Sequence, residues 1–415
     1  MSSEEWVRHT LEEVADIIGG GTPSTINPEF WGEDISWITP KDMATINERY
    51  VSGGERDIST EGLNNSSARL LPKGTVLLTS RAPIGYLGIA KNEITTNQGF
   101  KSLIPKTDVV DSLFLFYLLK NNIEYIKSLG SGTTFAEISG GVLKQVVFDF
   151  PPFPEQHRIA NILGSLDDKI ELNRQMNKTL EAMAQAIFKS WFVDFDPVRA
   201  KMDGKQPAGM DAETAALFPD AMVGDVPRGW RVESLDNIAS FLNGLALQKY
   251  PTDEDEFLPA IKIAQMHKGN SEGADKVSRN IPKEYIINDG DVLFSWSGSL
   301  SVMVWCAGEG ALNQHLFKVT SEKYPKWFYY LWILNHLPDF QEIAAGKATT
   351  MGHIQRHHLT AAKVVVPNNL ALWEIDKVIS PILDRIISNN LETRTLTNLR
   401  DTLLPKLMSG EILVD

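Results

Sequence analysis

The second half of this chain repeats the first, and this duplication constrains the fold more than any other feature. An offset of 216 residues pairs Asn97-Gln98 of NQGFKSLIP with Asn313-Gln314 of NQHLFKVTS. The same offset pairs further identical residues: Gly74 with Gly290, Ile138 with Ile354, Leu143 with Leu359, Pro151 with Pro367, Asp168 with Asp384, Asn173 with Asn389, and Leu180 with Leu396. Because this period is far too long for a solenoid, we predict two copies of one domain-plus-helix unit.

Nearer the N-terminus the offset changes. There, an offset of 224 pairs identical residues: Trp6 with Trp230, Leu11 with Leu235, Ala15 with Ala239, and Gly20 with Gly244. The first copy therefore carries about eight extra residues, which we expect in a surface loop because loops tolerate insertions.

Each copy begins with a segment of mixed secondary structure. The runs GTVLLTS, GDVLFSWS, KQVVFDF and AKVVVP are short and rich in β-branched residues, which indicates strands. SLFLFYLLKNNIEYIKSL and KWFYYLWILNHLPDFQEI have apolar residues at helical spacing. The predicted class is α+β, with similar domains at 1–152 and 228–367 and helical segments at 153–195 and 368–415. Residues 196–227, rich in Pro and Gly, are predicted to be a connector.

The helical segments carry the apolar repeat of a coiled coil. In the first, steps of four and three residues join Leu166, Ile170, Asn173, Asn177, Leu180, Ala184, Ile187 and Trp191. The second follows with Ile375, Ile379, Ile382, Ile386, Asn389, Thr393, Leu396 and Leu403. A period of about 3.5 residues is typical of helices that pack on each other. We expect an antiparallel pair, hence a pseudo-twofold chain, in which Ala184 lies near Arg400.

Asn173 and Asn389 fall at equivalent positions on this seam. A buried asparagine in a coiled coil lowers stability but sets register and partner choice. We predict this register-setting role for both residues; the alternative is that each side chain points to solvent.

Composition excludes several classes of protein. The only cysteine, Cys306, rules out a disulfide framework and a cysteine-rich zinc site. The start, MSSEEWVRHTLEEV, lacks the apolar region of a signal peptide, and no apolar run is long enough to span a membrane. We expect a cytoplasmic protein. The net charge of −13 argues only mildly against DNA binding, because a local basic face can exist on an acidic protein.

No sequence motif indicates a catalytic site. DFPPFP has Phe150 where an adenine methyltransferase loop needs an amide or carboxylate, and IIGGGTPS lacks the lysine of a phosphate-binding loop. GHIQRHHL lacks the glutamate of a zinc hydrolase motif, and no G-x-S-x-G elbow is present. We therefore assign no catalytic residue and no metal site.

Two similar but non-identical domains on a rigid spacer suit a linear target with two different half-sites, and DNA is such a target. Loop residues retained in both copies would contact the DNA phosphate backbone, and those that differ between the copies would contact bases. The candidate DNA-contacting residues lie in or beside repeated loops: Arg81, Asn97, Gln98, Lys101, Thr133 and Thr134 in the first copy, and Asn313, Gln314, Lys318, Thr350, His353, Gln355 and Arg356 in the second. We pair Asn97, Gln98 and Lys101 with Asn313, Gln314 and Lys318. The alternative is that these residues stabilise turns or are ordinary solvated loop residues.

Several segments together resemble the specificity subunits of type I restriction–modification enzymes. GGTPS, ISWITPKDM, VLLTSRAPIGYLGIA, TTNQGFKSLIP and GTTFAEIS resemble the first target-recognition domain of that family. FPPFPEQHRIANILGSLDDKIELNRQMNKTLEAMAQAIFKSWFVDFDPVRAKMDG resembles its central helical region, and LETRTLTNLRDTLLPKLMSGEI its C-terminal helix. The resemblance covers essentially the whole chain. One departure is LALWEIDKV, which stands in the second copy where the first has EQHRIA.

The resemblance implies two target-recognition domains, an antiparallel coiled coil and a bipartite double-stranded DNA target with a non-specific gap. It implies assembly with two modification subunits, which bind S-adenosylmethionine and methylate adenine. It also implies restriction subunits that use ATP and Mg, and no cofactor or catalytic group in this chain. One alternative is a duplicated scaffold or adaptor that does not read DNA. Another is a specificity subunit that works without its nuclease.

Overall fold

The computed structural model describes residues 6–46, 48–132, 136–346 and 352–414. The chain forms two compact units: residues 1–171 with 396–415, and residues 172–395. Each unit contains one mixed α+β domain and part of both long helices, so the unit boundaries fall within helices and not at the predicted domain limits.

The first unit has these strands: β1 (Val7–Thr10), β2 (Ala15–Gly19), β3 (Trp31–Gly32), β4 (Ile35–Ile38), β5 (Tyr50–Val51), β6 (Arg56–Ile58), β7 (Val76–Ser80), β8 (Ile84–Ala90), β9 (Thr95–Thr96), β10 (Lys101–Pro105) and β11 (Val147–Phe150). Its short helices are α1 (Leu11–Val14), α2 (Pro40–Met43), α3 (Thr60–Asn64), α4 (Ser112–Asn121), α5 (Ile123–Ser128) and α6 (Gly140–Lys144), with a 3₁₀ turn at Pro28–Phe30. The strands form the sheets β2-β10-β7-β8-β5 and β3-β6-β4-β9 and the ribbon β1-β11.

The long helices are α7 (Phe153–Phe188), which continues as a π-helical turn at Lys189–Val193, and α14 (Asn369–Met408). The second unit has these further helices: α8 (Asp196–Met202), α9 (Ala212–Ala216), α10 (Leu235–Ile238), α11 (Ile263–Lys268), α12 (Lys326–Ala345) and α13 (Arg356–Ala361), with 3₁₀ turns at Leu247–Lys249 and Lys283–Tyr285. Its strands are β12 (Met222–Val223), β13 (Val226–Pro227), β14 (Arg231–Ser234), β15 (Ser240–Asn243), β16 (Phe257–Ile261), β17 (Lys276–Ser278), β18 (Ile286–Ile287), β19 (Val292–Ser295), β20 (Val302–Val304), β21 (Gly310–Leu312), β22 (Leu316–Thr320) and β23 (Lys363–Val366).

The two domains share one topology. The sheet β15-β22-β19-β20 has the strand order of β2-β10-β7-β8, and the ribbon β14-β23 matches β1-β11. In the remaining sheets, β4 pairs antiparallel with β6 and parallel with β9, and β16 pairs in the same way with β17 and β21. The predicted α+β class and the duplication are therefore confirmed.

Most of the extra residues of the first copy lie between α2 and β7. There, 31 positions separate Met43 from Gly74, whereas 24 separate the matching Met266 and Gly290. The longer segment contains β5, which pairs parallel with β8. Among the described residues, β20 has no such extra strand beside it.

Apolar helix faces build a separate core in each unit. In the first, Phe114 and Tyr117 of α4 pack with Leu163 of α7 and Leu404 of α14. The Asp111 carboxylate accepts hydrogen bonds from the amides of Leu113 and Phe114, which caps α4. In the second unit, aromatic residues of α12 dominate the core: Trp327, Phe328 and Trp332. Burying each such side chain contributes about 1.5–3 kcal/mol or more to folding.

The long helices run antiparallel in both units. In the first, Arg158 Nε donates a hydrogen bond to the Val414 carbonyl oxygen at 3.0 Å, and Arg400 bonds Asp167. In the second, Asn177 bonds Asn390. In these pairs, the residue number on the α14 side falls as the residue number on α7 rises, as expected for antiparallel helices. The expectation that Ala184 lies near Arg400 is wrong. Arg400 pairs with Asp167, which lies seventeen residues before Ala184 on α7.

Among the described residues, no helix has both the length and the apolar character needed to cross a membrane.

Candidate nucleic-acid interface

The repeated Asn-Gln dipeptide forms the same turn in both units. Asn97 Oδ1 accepts a hydrogen bond from the Gly99 amide at 2.8 Å, and Asn313 Oδ1 accepts one from the His315 amide at 3.2 Å. Such an Asx turn satisfies backbone donors locally. A turn-stabilising role therefore accounts for the repeated asparagines, and their contact with DNA stays a prediction.

A glycine packs directly on each of these turns. A β-carbon on Gly20 would overlap the carbonyl oxygen of Asn97, and one on Gly244 would overlap the carbonyl oxygen of Asn313. The repeated glycines and the repeated asparagines are thus two halves of one close backbone contact.

The two glutamines that follow the asparagines have different partners. Gln98 is exposed, and its side-chain oxygen accepts a hydrogen bond from the Thr22 hydroxyl. Gln314 is partly exposed, and its Nε2 atom lies 3.4 Å from Nε2 of His315. Both amides are of the type that pairs bidentately with adenine, and this role too stays a prediction.

In the first unit, two predicted cationic residues share one carboxylate. Glu137 lies between Arg81 and Lys101, with Arg81 Nη1 at 3.6 Å from Oε2 and Lys101 Nζ at 3.3 Å from Oε1. The Lys101 side chain is 15% exposed, and those of Arg81 and Glu137 are 35% and 38% exposed. Partly exposed ion pairs contribute about 0–1 kcal/mol each, so a phosphate can compete with Glu137 for either cation.

The second unit builds the same position from different side chains. Ser297 and His353 form an isolated antiparallel bridge, as Arg81 and Glu137 do in the first unit. An Arg–Glu pair is thus replaced by serine and histidine on an equivalent backbone. This is the divergence expected of two domains that read different sequences.

Three residues beside His353 escaped the sequence analysis: Trp296, Ser297 and His315. The Trp296 ring centroid lies 5.9 Å from that of His315 and 6.3 Å from that of His353, and Ser297 Oγ lies 2.9 Å from His315 Nδ1. The cluster Trp296, Ser297, His315 and His353 offers flat rings and ring nitrogens near the surface. The available signal was His315 itself, because NQHLFK has a histidine where NQGFK has Gly99.

The strand register separates Lys318 from Lys101. Lys101 lies opposite Gly19, and the residue opposite Asn243, the counterpart of Gly19, is Phe317. Lys318 is one residue further along, and neighbouring residues of a strand face opposite sides. Its ammonium group lies 2.8 Å from an Asp291 carboxylate oxygen and donates to the Ile286 carbonyl at 2.9 Å. The expected pairing of Lys101 with Lys318 is therefore wrong, and contact of each with DNA stays a prediction.

Gln355 and Arg356 lie at the start of α13, and both are exposed. The backbone N–H of Gln355 donates a hydrogen bond to His358 Nδ1 at 2.9 Å. Arg356 Nη2 donates to the Phe241 carbonyl at 3.2 Å, and its guanidinium carbon lies 5.7 Å from the Phe317 ring centroid. The guanidinium is thus anchored beside the Phe317 ring while the residue stays exposed.

Thr133, Thr134 and Thr350 lie outside the described residues. Their predicted contact with DNA is unchanged.

On the helices, the two predicted register residues belong to a ladder of amides in the second unit. Asn173 and Asn389 are 0% and 1% exposed, so neither turns to solvent. Asn389 Nδ2 donates to Asn177 Oδ1, and Asn177 Nδ2 donates to Asn390 Oδ1, each at 2.8 Å. Asn173 Nδ2 donates to the Asn389 carbonyl at 3.4 Å. These bonds join α7 to α14 in one alignment, and the register role that we predict would act through them.

A second polar contact joins the domain of this unit to α14. Arg394 donates two hydrogen bonds of 2.8 Å to the Asp289 carboxylate, and these bonds lower the pKa of Asp289. Arg394 also donates to the Cys306 carbonyl at 2.9 Å, while burial raises the pKa of the Cys306 thiol. Within the described parts of the chain, no group of three or more His, Cys, Asp and Glu side chains could hold a metal ion.

Comparison with known proteins gives a consistent match. Residues 3–182 and 227–400 match the model of the type I restriction modification DNA specificity domain. The chain is 34% identical over 423 residues to the type I restriction enzyme MjaIX specificity subunit of Methanocaldococcus jannaschii, covering 99% of this chain and 94% of that protein. It is 27% identical to the HindI specificity subunit of Haemophilus influenzae, covering 85% and 90% of the two chains.

A solved structure shares the fold. The specificity subunit of a type I restriction–modification system from M. genitalium superposes with a TM-score of 0.57 at 17% identity, covering 99% of this chain and 96% of that one.

Proposed function

Since the chain belongs to the family of type I restriction–modification specificity subunits, we propose that each of its α+β domains reads one half of a bipartite DNA target. One observation carries this proposal: matched backbone positions hold Arg81 and Glu137 in one domain but Ser297 and His353 in the other. A shared scaffold with different side chains at the same place suits two half-sites of different sequence.

The helices, in this proposal, set the gap between the half-sites and dock two modification subunits. The amide ladder of Asn173, Asn177, Asn389 and Asn390 supports a fixed register. Leu370 and Trp373 support docking, because they are 68% and 60% exposed near the start of α14. Exposed aromatic and aliphatic side chains on one helical turn are typical of protein contacts.

The chemistry would belong to the partners. Modification subunits would bind S-adenosylmethionine and methylate adenine, and restriction subunits would use ATP and Mg. The present chain would be a non-catalytic component of this cytoplasmic complex. We expect the purified chain to show no methyltransferase, nuclease or ATPase turnover.

Single-molecule sequencing of methylated adenines tests the proposal. The chain is expressed with its cognate modification subunit, and a strain with the modification subunit alone is the control. We expect a bipartite motif, methylated only when both are present. A duplicated adaptor that does not read DNA, the alternative function, would leave the methylation pattern of the two strains identical.

A further inference from the structure

A chain of buried polar groups joins the first domain to both long helices. The Asp167 carboxylate of α7 accepts a hydrogen bond from Arg400 of α14 at 2.6 Å on one oxygen. Its other oxygen accepts a hydrogen bond from the Tyr117 hydroxyl of α4 at 2.7 Å. One carboxylate thus connects the domain helix and the two spacer helices.

Arg49 makes a second connection from the domain to α7. Its Nη1 atom donates to the Gly164 carbonyl at 3.0 Å, and its guanidinium pairs with the Asp168 carboxylate. Arg49 immediately precedes β5, within the segment that is longer in the first copy. Helices α4 and α7 approach closely at Gly164, since a β-carbon there would lie 2.9 Å from a Leu113 methyl group.

These groups are held away from water. The side chains of Arg49, Asp167 and Arg400 are only 10%, 11% and 14% exposed. Burial alone would raise the pKa of Asp167, but attraction to Lys120 and hydrogen bonds from Arg400 and Tyr117 lower it. Buried ionic groups tolerate little change of geometry, because a displaced partner leaves an uncompensated charge.

The positions that match Tyr117, Asp167 and Arg400 hold apolar residues in the second unit. The counterparts of Tyr117 and Asp167 are Ile333 and Leu383, and both are buried. Ala184 of α7, the counterpart of Arg400, lines the same cavity as Leu383, together with Glu181 and Gln185. Apolar contacts are non-directional, whereas the hydrogen bonds of the first unit require one orientation.

We propose that Arg49, Tyr117, Asp167 and Arg400 form a charged junction that fixes the orientation of the first domain on the helices. The junction thereby sets where the first half-site lies relative to the gap. This inference rests on the proposed function, and the four residues are positioning residues that do not touch DNA. The second domain lacks this junction and is instead hydrogen-bonded to α14 through Asp289 and Arg394, so the two domains are not interchangeable in position.

The test replaces the charged junction with the chain's own apolar one. The variant Tyr117→Ile, Lys120→His, Asp167→Leu, Arg400→Ala introduces the residue types of Ile333, His336, Leu383 and Ala184. The milder variants Tyr117→Phe and Arg49→Met each remove one connection and keep the helix packing. Arg8→Gln, which breaks an exposed ion pair with Asp149 on the β1-β11 ribbon, is the control.

The measurement is the distribution of gap lengths among methylated sites, in cells that express each variant with the modification subunit. We expect both half-site sequences to stay the same while gaps one base pair longer or shorter become methylated. Methylation at the original gap should fall about tenfold relative to these new gaps, which corresponds to about 1.4 kcal/mol. Arg8→Gln should keep the original single gap.

Simple loss of stability would lower methylation of all sites without widening the gap distribution. If the fourfold variant does not fold, Tyr117→Phe and Arg49→Met decide the matter. An unchanged single gap in the folded variants would overturn the inference. Absence of any bipartite motif with the unaltered chain would instead overturn the proposed function.

Discussion

Individual residues divide into those that repeat for the fold and those that differ between the two domains, for which we propose a role in recognition. Asn97 and Asn313 repeat because each holds an Asx turn on which a glycine packs. The positions of Arg81 and Ser297 share a backbone arrangement but have different side chains. Repetition within this chain therefore identifies scaffold more directly than it identifies DNA contacts.

Replacing Gly20 with Ala should destabilise the first unit by about 1–3 kcal/mol, the usual result of overpacking. The added methyl group would overlap the Asn97 carbonyl oxygen. Gly19→Ala is the matched control, because a β-carbon at Gly19 would meet nothing within 4 Å. Chemical unfolding monitored by circular dichroism measures both. Equal stabilities of the two variants would contradict the packing argument.

Removing Arg356 or Arg81 should weaken DNA binding by the assembled complex by about 1–3 kcal/mol if the residue contacts a base, and less if it contacts a phosphate. Loss of a phosphate contact weakens all sequences alike, whereas loss of a base contact relaxes one half-site. Binding titrations at two salt concentrations distinguish these cases. Arg228→Ala, which breaks an exposed pair with Asp220, is the control. Wild-type affinity in both variants would show that the DNA surface lies elsewhere.

At the scale of elements, the long helices combine an apolar seam with a short amide ladder. The 3.5-residue period predicts the seam, and the structure buries Ile170, Asn173, Asn177 and Ala184 along it. We predict that the Asn389–Asn177 hydrogen bond restricts the helices to one register, because a shift by one heptad would leave buried amides unpaired.

Asn389→Leu should cost about 1–3 kcal/mol of unfolding free energy, because Asn177 would lose a buried partner. Adding Asn177→Leu should recover part of this loss, since two apolar residues then face each other. Thermal unfolding of the single and double variants gives the coupling between the two sites. Additive losses would mean that the two amides act independently.

Lengthening both helices should widen the gap in the DNA target. Seven residues inserted after Glu181 and seven after Arg385 keep the seam in phase and preserve the Asn177–Asn390 bond. The helix grows by about 10 Å, or about three base pairs, so the methylated gap should widen by up to this amount. Insertion after Glu181 alone is the control and should impair assembly. An unchanged gap with both insertions would show that the helices do not set the distance.

At the scale of the whole molecule, duplication yields two domains of one topology with different surfaces and different junctions to the helices. The helix positions at the first junction are charged around Asp167, whereas the matching positions of the second unit are apolar around Leu383 and its domain bonds α14 through Asp289 and Arg394. Divergence therefore extends beyond the recognition loops to the attachment of each domain.

Replacing residues 228–367 with the matching domain of a relative should change one half of the methylated motif. The other half and the gap should stay as they were, because the first domain and the helices are untouched. Sequencing of methylated adenines measures this result. As a comparison, residues 228–367 are replaced with the chain's own residues 1–152. That second chimera should assemble poorly, because Tyr117 would meet Leu383 in place of Asp167 and lose its hydrogen-bond acceptor. A change in both half-sites after the first swap would contradict independent reading.

The sequence alone determined the duplication, the α+β class and the long helices, because these follow from local periodicity and from comparison of the chain with itself. It placed Asn173 and Asn389 on the helix seam, and the structure decided that both are buried. Only the tertiary structure decided that Lys318 faces Asp291 instead of matching Lys101, that Glu137 lies between Arg81 and Lys101, and that Arg49 reaches α7. Each of these contacts depends on strand register or helix alignment across the fold. A shift of one residue in a strand moves a side chain to the opposite face, and no local pattern records it.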